Sequence, residues 1–572
     1  MKRFFVIFVF MLFANGICIG AASIEKFAAA SDISAVTVNG KPFKVHEQNH
    51  VPQWNAAPAG REARMVELKN LMVTGTLAVG FTLNTIDVVP AVQGAKISFF
   101  ADRCCTIPVN LVGMPVKSGE QVYFIKVLTP DGSSYQVYTL SIMGLNIHNS
   151  AQYYKYGEPT FVADSYHTWL WAMQNAKPGQ IIAITKTEQF LYKPGEDLIA
   201  PQVNNQQDFV LRSLSGCYND FIIRGHGFHK GSYSRGVPGD VLFSVNGAKT
   251  KNIILYGITI QESTRHGFKL EGFGEDNIIF DNCRIIDANE RAFKGSGPTV
   301  NGKLTRSKNI TIINCLFENT QVPLASDHMD EFNGDYIGGI DVMNLSGLTI
   351  SGNTFKNIIG KNKGARPPIF IWGQDGCENV VIENNLIVNC DQGIGIGNYS
   401  GNPAGNSIGG FYMNGCIIRN NFISINDRDL DILEINRSND VKIYNNTLWR
   451  SNPSRRGIRD SHSPSIPSHN VSIINNIVCG SVSEFPRGNN IDIRHNIFSF
   501  NDPTGVAPGE GNITFNVHER FFINAVNGDF RLRPAATQAI KKGIPLPEVK
   551  TDFFGNPRGA TPDIGAHQYT EN

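Results

Sequence analysis

Nine segments repeat one pattern: "NIILYGITI" at 252, "NIIFDNCRI" at 277, "NITIINCLF" at 309, "LTISGNTF" at 348, "NVVIENNLI" at 379, "CIIRNNFI" at 416, "DVKIYNNTL" at 440, "NVSIINNIV" at 470 and "NIDIRHNIF" at 490. Self-similarity at a few tens of residues marks a solenoid, in which each unit buries its apolar face only against its neighbours. Alternation of apolar and polar residues within each unit specifies strands. Aligning the units stacks Cys283, Cys315, Asn353, Asn385, Asn421, Asn446, Asn476 and Asn496 in one column. An asparagine at a tight bend can bond the backbone of the coils above and below, so the column reads as an architectural ladder with thiols substituted in two places.

A second set of strands precedes this one: "VLFSVNG" at 241, "GFKLEG" at 267, "AFKGSG" at 292, "GIDVMN" at 339, "IFIWGQ" at 369, "GIGIGN" at 393, "LDILEIN" at 430 and "GIRDS" at 457. Strand, variable turn, strand, short Asn turn, strand and loop together predict an all-β chain wound as a right-handed parallel β-helix over residues 146–530, with a terminal segment over 531–572. Before the repeats, Asp164 can cap a helix carrying Trp169, Leu170, Met173 and Ala176, stopped by Pro178-Gly179. Such a helix would cover the open apolar end of the stack. Residues 23–145 alternate in short runs around turns such as "PDGSS", and predict a small antiparallel β-sandwich.

The repeats, and the ending "GDFRLRP…DFFGNPRGATPDIGAHQY", resemble the pectate-lyase-like β-helix superfamily of secreted polysaccharide lyases and glycosidases, chondroitinase B-type lyases among them. The last hairpin of the 23–145 segment is similar to those of cadherin-like and bacterial Ig-like modules.

A basic start, an apolar run and small residues in "MKRFFVIFVFMLFANGICIGAAS" predict a signal peptide over residues 1–22, and hence export, secreted or periplasmic, with lipid attachment at Cys18 disfavoured by Ile17. Nine cysteines follow, at 104, 105, 217, 283, 315, 377, 390, 416 and 479, without zinc-ribbon spacing; most are expected to be buried apolar residues. With 51 Lys+Arg against 50 Asp+Glu the net charge is +1, so no global field draws nucleic acid, and attraction for an acidic partner must be local.

Side-chain parity locates that attraction. In "AFKGSG" Phe293 points inward, so Lys294 points outward. The same rule projects Lys269 and Glu271, Lys294 and Ser296, Asp341 and Met343, Phe370 and Trp372, Gly395 and Gly397, Asp429 and Asp431, then Arg459. With rungs ~4.8 Å apart, Lys269, Lys294 and Asp341 should be neighbours. Segments leading into these strands add Arg265 and His266, Glu290 and Arg291, Arg366, and the acidic run Asp327, His328, Asp330, Glu331, Asp335 and Tyr336. A groove of cations and carboxylates with Trp372 and Phe370 as a shelf suits an acidic polysaccharide, with Arg366, Glu271 and Arg459 also contacting it.

The resemblance implies β-elimination at a uronic acid. Lys294, flanked by Lys269 and Arg291, is the expected base. Arg291 and His266 would hold the carboxylate or protonate the leaving oxygen, and Asp341 would orient Lys294 or bind a metal. No cofactor is demanded by the pattern; Ca²⁺ is the candidate, for Asp327, Asp330, Glu331 and Asp335. Two alternatives stay open: a glycoside hydrolase using paired carboxylates such as Asp341 and Glu271, and a glycan-binding or adhesion β-helix without chemistry. Lys294 and Asp341 also read as an ordinary cross-strand ion pair.

Overall fold

The computed structural model describes residues 32–570 apart from 49–69, 79–81, 118, 146–154, 158–160, 164–168, 170–171, 174, 185–188, 192–201, 214–220, 226–240, 302, 323–333, 373–375, 398–408, 427–429, 453, 462–466, 484–488, 500–508 and 516–518. The expected signal peptide, Asp164 and Leu170 lie outside them. The chain divides into two compact units, Met1–Gln152 and Tyr153–Asn572.

In the first unit seven strands follow one another in a single hydrogen-bonded string around a core containing Val36, Val73, Ile125 and Leu140. The sandwich expected to be antiparallel carries one parallel pairing, Asn70–Ala78 beside Tyr135–Leu145.

The second unit holds three long sheets, of twelve, ten and twelve strands, in which every pairing is parallel. One coil runs His266–Leu270 in the ten-stranded sheet, Asp276–Asp281 and Arg284–Ala288 in the two others, then Arg291–Gly295 back in the first. Parallel crossovers of this kind wind right-handed. The interior is a stack of like residues, such as the Ile278, Ile310, Leu348, Val380, Cys416, Val441 and Val471 column. Trp169, Ala172 and Met173 are buried in the same core, with the Trp169 ring 4.8 Å from Phe221, so the segment expected to cover the stack does pack into it.

The dipeptide behind each short turn explains the bend. Its first residue, Asn282, Asn314, Asn384, Asn420, Asn445 or Asn475, takes a left-handed conformation with φ between 50° and 59°, which asparagine tolerates better than other side chains. Its second residue turns inward as the ladder. Asn421 Oδ1 accepts the Asn385 N–H and Nδ2 at 3.0 Å each, while Asn421 Nδ2 donates to Ile382 O, Arg419 O and Asn446 Oδ1. The pattern repeats from Asn353 to Asn496 and extends one rung further, to Asn512.

Cys315 imitates the amide: its Sγ accepts the Cys283 N–H at 3.4 Å and donates to Ile313 O and Phe280 O. Sulfur makes these bonds long and weak. Cys315→Asn is therefore expected to stabilise the stack by ~1 kcal/mol, read as a rise of about 1–2 °C in the unfolding midpoint. The six described cysteines of this unit are buried and free. Burial pushes up the thiols of Cys315, Cys377, Cys390, Cys416 and Cys479, Cys377 to about 11. In the first unit Cys104 is in a disulfide and Cys105 is free.

The terminal segment runs along the side of the stack. Phe521, Phe522, Phe530, Leu532 and Ile564 pack on Phe422, Trp449, Ile477 and Ile497, outer-face residues of one twelve-stranded sheet. The turn asparagines hold it: Asn420 Nδ2 donates to Thr551 O, Asn445 Nδ2 to Asp563 O and Gly565 O, and Asn475 Nδ2 to Ile544 O.

Candidate functional site

The ten-stranded sheet carries the charged column. Its register aligns Ser244, Lys269, Lys294, Asp341, Phe370, Gly395, Glu434 and Arg459. Parity thus places Lys269, Lys294 and Asp341 on adjacent rungs. The rung expected for Asp429 and Asp431 is held by Glu434, because the strand begins at Leu433; Asp429 lies outside the described residues.

Asp341 is the hub. It lies buried between Arg291 Nε at 2.6 Å and Lys294 Nζ at 2.9 Å. Burial alone would push its carboxyl up, but Lys294 and Arg291 outweigh that and hold it below the usual carboxylate range. Asp341 therefore stays ionised and bridges the two cations.

Arg291 reaches Asp341 by lying across the neighbouring coil. Its rung partner there is Gly338, where a Cβ would stand 3.3 Å from Arg291 Cδ and 3.4 Å from Nη1. The Tyr336 ring covers the guanidinium, 3.9 Å from Cζ to the ring centroid. Arg291 Nη1 is buried without a hydrogen-bond partner. Sequence reading had no means of finding Gly338, since its function is to be absent from the space Arg291 fills.

His266 precedes Arg291 by one rung and is 2 % exposed, with Nδ1 also unpartnered. Burial, then Arg265, Lys294, Arg291 and Lys269, press its pKa well below 6.5, so the ring is neutral at pH 7. Its 3.8 Å approach to Glu290 is accordingly not an ion pair; Glu290 is held by Arg265 Nε at 3.0 Å.

The other expected contacts divide. Lys269 pairs with Glu271 at 2.6 Å, and Arg459 with Asp431 at 2.7 Å and Glu434 at 3.3 Å. Arg366 is partly buried, which lowers its pKa, as does Arg291 beside it; Tyr336, Asp341 and Glu434 act in the other direction. Trp372 is half-buried and donates its backbone N–H to Val342 O. Phe370 is not the exposed shelf expected of it. It keeps the outward register but is 8 % exposed.

Of the expected metal ligands, Asp327, Asp330 and Glu331 lie outside the described residues. Asp335 is occupied otherwise: its oxygens accept from Asn362 N at 2.8 Å, Asn362 Nδ2 at 3.0 Å and Gly364 N at 3.4 Å, locking a turn. Those donors suit a carboxylate already satisfied, and the described residues alone do not assemble a calcium cage. Among the described residues no group of three or more His, Cys, Asp or Glu is placed to hold a metal ion.

Four residues before Arg291, burial pushes the Asp287 carboxyl up to about 7, against the pull of Thr320 Oγ1 and N–H, with Glu318 and Glu262 adding to the rise. The folded state therefore binds this proton more tightly than the unfolded chain. Asp287 should destabilise the fold progressively as pH rises from about 4 towards 7. Asp287→Asn is expected to flatten that part of the curve of unfolding midpoint against pH.

Three all-parallel sheets closed into successive coils admit one description. The second unit is a right-handed parallel β-helix. No family model matches this β-helix, and no curated protein does. Solved structures similar to it include alginate lyase from Paenibacillus sp., 13% identical over 62% of this chain and 100% of that one, with a TM-score of 0.35. The N-terminal fragment of bacteriophage phi29 gene product 12 is 13% identical over 64% of each chain, with a TM-score of 0.37. The Yersinia enterocolitica family 28 exopolygalacturonase is 10% identical over 71% of this chain and 85% of its own length, with a TM-score of 0.28. Likeness at this level concerns the architecture alone. Among the described residues no helix is long and apolar enough to cross a membrane, which leaves β-barrels unaddressed.

Proposed function

We propose that this β-helix binds a uronate-containing polysaccharide on the outer face of the ten-stranded sheet and cleaves it by β-elimination. The observation that carries the reading is Arg291: a buried cation fixed flat by Tyr336 and Asp341, with Nη1 left without a hydrogen-bond partner. With Lys294 and Arg366 beside it and one carboxylate, Asp341, among them, the cluster keeps an excess of positive charge.

Elimination begins with removal of the proton beside the sugar carboxylate, which becomes acidic only when that carboxylate is neutralised. Arg291 and Arg366 supply the charge, in a site dry enough to make it effective. The base role expected of Lys294 passes in this reading to His266, because Lys294 Nζ is engaged by Asp341 at 2.9 Å whereas the imidazole is already neutral. Lys294, an ammonium on the open face, is then the donor for the departing glycosidic oxygen. Hydrolysis would need a carboxyl kept protonated, and Asp341 is held the opposite way.

Incubation with polygalacturonate, alginate or chondroitin should generate the ultraviolet absorbance of a 4,5-double bond. New reducing ends without that absorbance would show hydrolysis instead, and binding with neither would leave an adhesion module. His266→Gln should remove the low-pH limb of the rate profile and cost about 10²–10⁴ in kcat, while Lys294→Arg should retain substrate binding.

A further inference from the structure

The column of outward residues is interrupted two rungs beyond Asp341, at Gly395. A Cβ on Gly395 would stand 3.0 Å from Pro367 Cγ and 3.1 Å from Phe370 Cδ2. Pro367, carried by the preceding coil, therefore sits directly on the sheet, with the Phe370 ring wedged against the same glycine. Gly395 has no need of glycine for its backbone, since its φ is outside the left-handed range; its missing side chain is the seat for this packing.

The turn bearing Pro367 is fixed at several points. Asp335 Oδ1 accepts from Asn362 N and Gly364 N, and Asp391 Oδ2 accepts from Gly360 N at 2.9 Å and Ala365 N at 3.2 Å. Arg366 N–H then bonds Ile337 O at 2.9 Å, and Pro368 O accepts the Ile340 N–H at 2.7 Å. Ala365 is fully buried. Bonds of this number leave the turn a fixed ridge across the face, separating Lys269, Lys294 and Asp341 from Glu434 and Arg459.

Resting on the reading of the previous subsection, we propose that this ridge closes one end of the polysaccharide trough, so that the site takes chain ends and acts as an exo-enzyme. Lys294 and Asp341 lie two rungs and one rung from Phe370, about 10 Å and 5 Å at the spacing of parallel strands. Only one or two sugars fit between the reacting bond and the ridge, and the product released there is a mono- or disaccharide.

The test has a turnover arm and a binding arm. On polygalacturonate or alginate the wild type should yield mono- or disaccharide from the first minutes, with viscosity falling in proportion to bonds cleaved. Early release of a ladder of longer oligomers, with a steep initial fall in viscosity, would overturn the proposal while leaving β-elimination intact. In the binding arm, Lys294→Ala is titrated with one polyuronate hydrolysed to several mean lengths. Capacity per gram should follow the number of chain ends; capacity following sugar mass would overturn the end-on mode. Pro367→Gly, which lowers the ridge without touching a charged group, should lengthen the products and move capacity towards sugar mass. Failure to bind any polyuronate at any length would remove the acidic-glycan reading itself, and this mode of action with it.

Discussion

Alanine in place of Asn421 is expected to open the middle of the β-helix. Asn421 makes five side-chain hydrogen bonds, to Asn385 twice, Ile382, Arg419 and Asn446. Removing its amide strands at least the Asn385 N–H and the Ile382 carbonyl in the interior. At ~1–3 kcal/mol for each buried group left unpaired, the loss is about 2–6 kcal/mol. Because each coil contacts only its neighbours, the loss concentrates locally. Hydrogen exchange should accelerate for amides in the coils of Asn385, Asn421 and Asn446 and hardly change near Phe243. Asn421→Asp keeps one oxygen but deletes the donors and buries a charge, and should be worse than alanine.

Asp341→Ala should be the most damaging change on the charged face. It leaves Arg291, 1 % exposed, and Lys294 facing each other without their shared carboxylate. Breaking a buried pair from one side costs about 3–5 kcal/mol, and losing the fixed orientation of Arg291 should reduce kcat/KM by about 10²–10³. The pH dependence has a definite sign. Asp341 binds its proton more weakly when folded than when unfolded, so its contribution is complete above the ordinary carboxylate value of ~4 and disappears as pH falls through a lower one. Acid unfolding of the wild type should therefore be steeper than that of Asp341→Asn, measured by circular dichroism from pH 5 downwards.

Much of this was legible in the residues. The second letter of each "NN" turn announces the ladder, because a polar side chain recurring at an inward position has few other uses. Strict period-2 alternation around Phe268, Phe293 and Ile340 was enough to align Lys269, Lys294 and Asp341. The reading failed where a turn intervened. Phe370 obeys the alternation yet is buried, and Pro367, which packs on the same Gly395, belongs to a connection whose path no periodicity encodes. Glu434 took a rung expected for Asp429 and Asp431 because the strand starts later than its apolar run. Asp335 looked like a metal ligand by composition, whereas its partners among the described residues are the Asn362 backbone and side-chain amides and the Gly364 backbone, separated from it by 27 and 29 positions. Gly338 and Gly395 were invisible as determinants: space kept empty leaves no letter of its own.

The terminal segment changes how such a stack can come apart. A tower of coils would ordinarily fray from whichever end is looser, one turn at a time. Here Ile544, Thr551, Asp563 and Gly565 are clipped to three successive corners, at Asn475, Asn420 and Asn445, so none of those turns can peel away while the clip holds. Resistance to proteases in the last third of the molecule should thus vanish as a block once a single cut falls within residues 541–550.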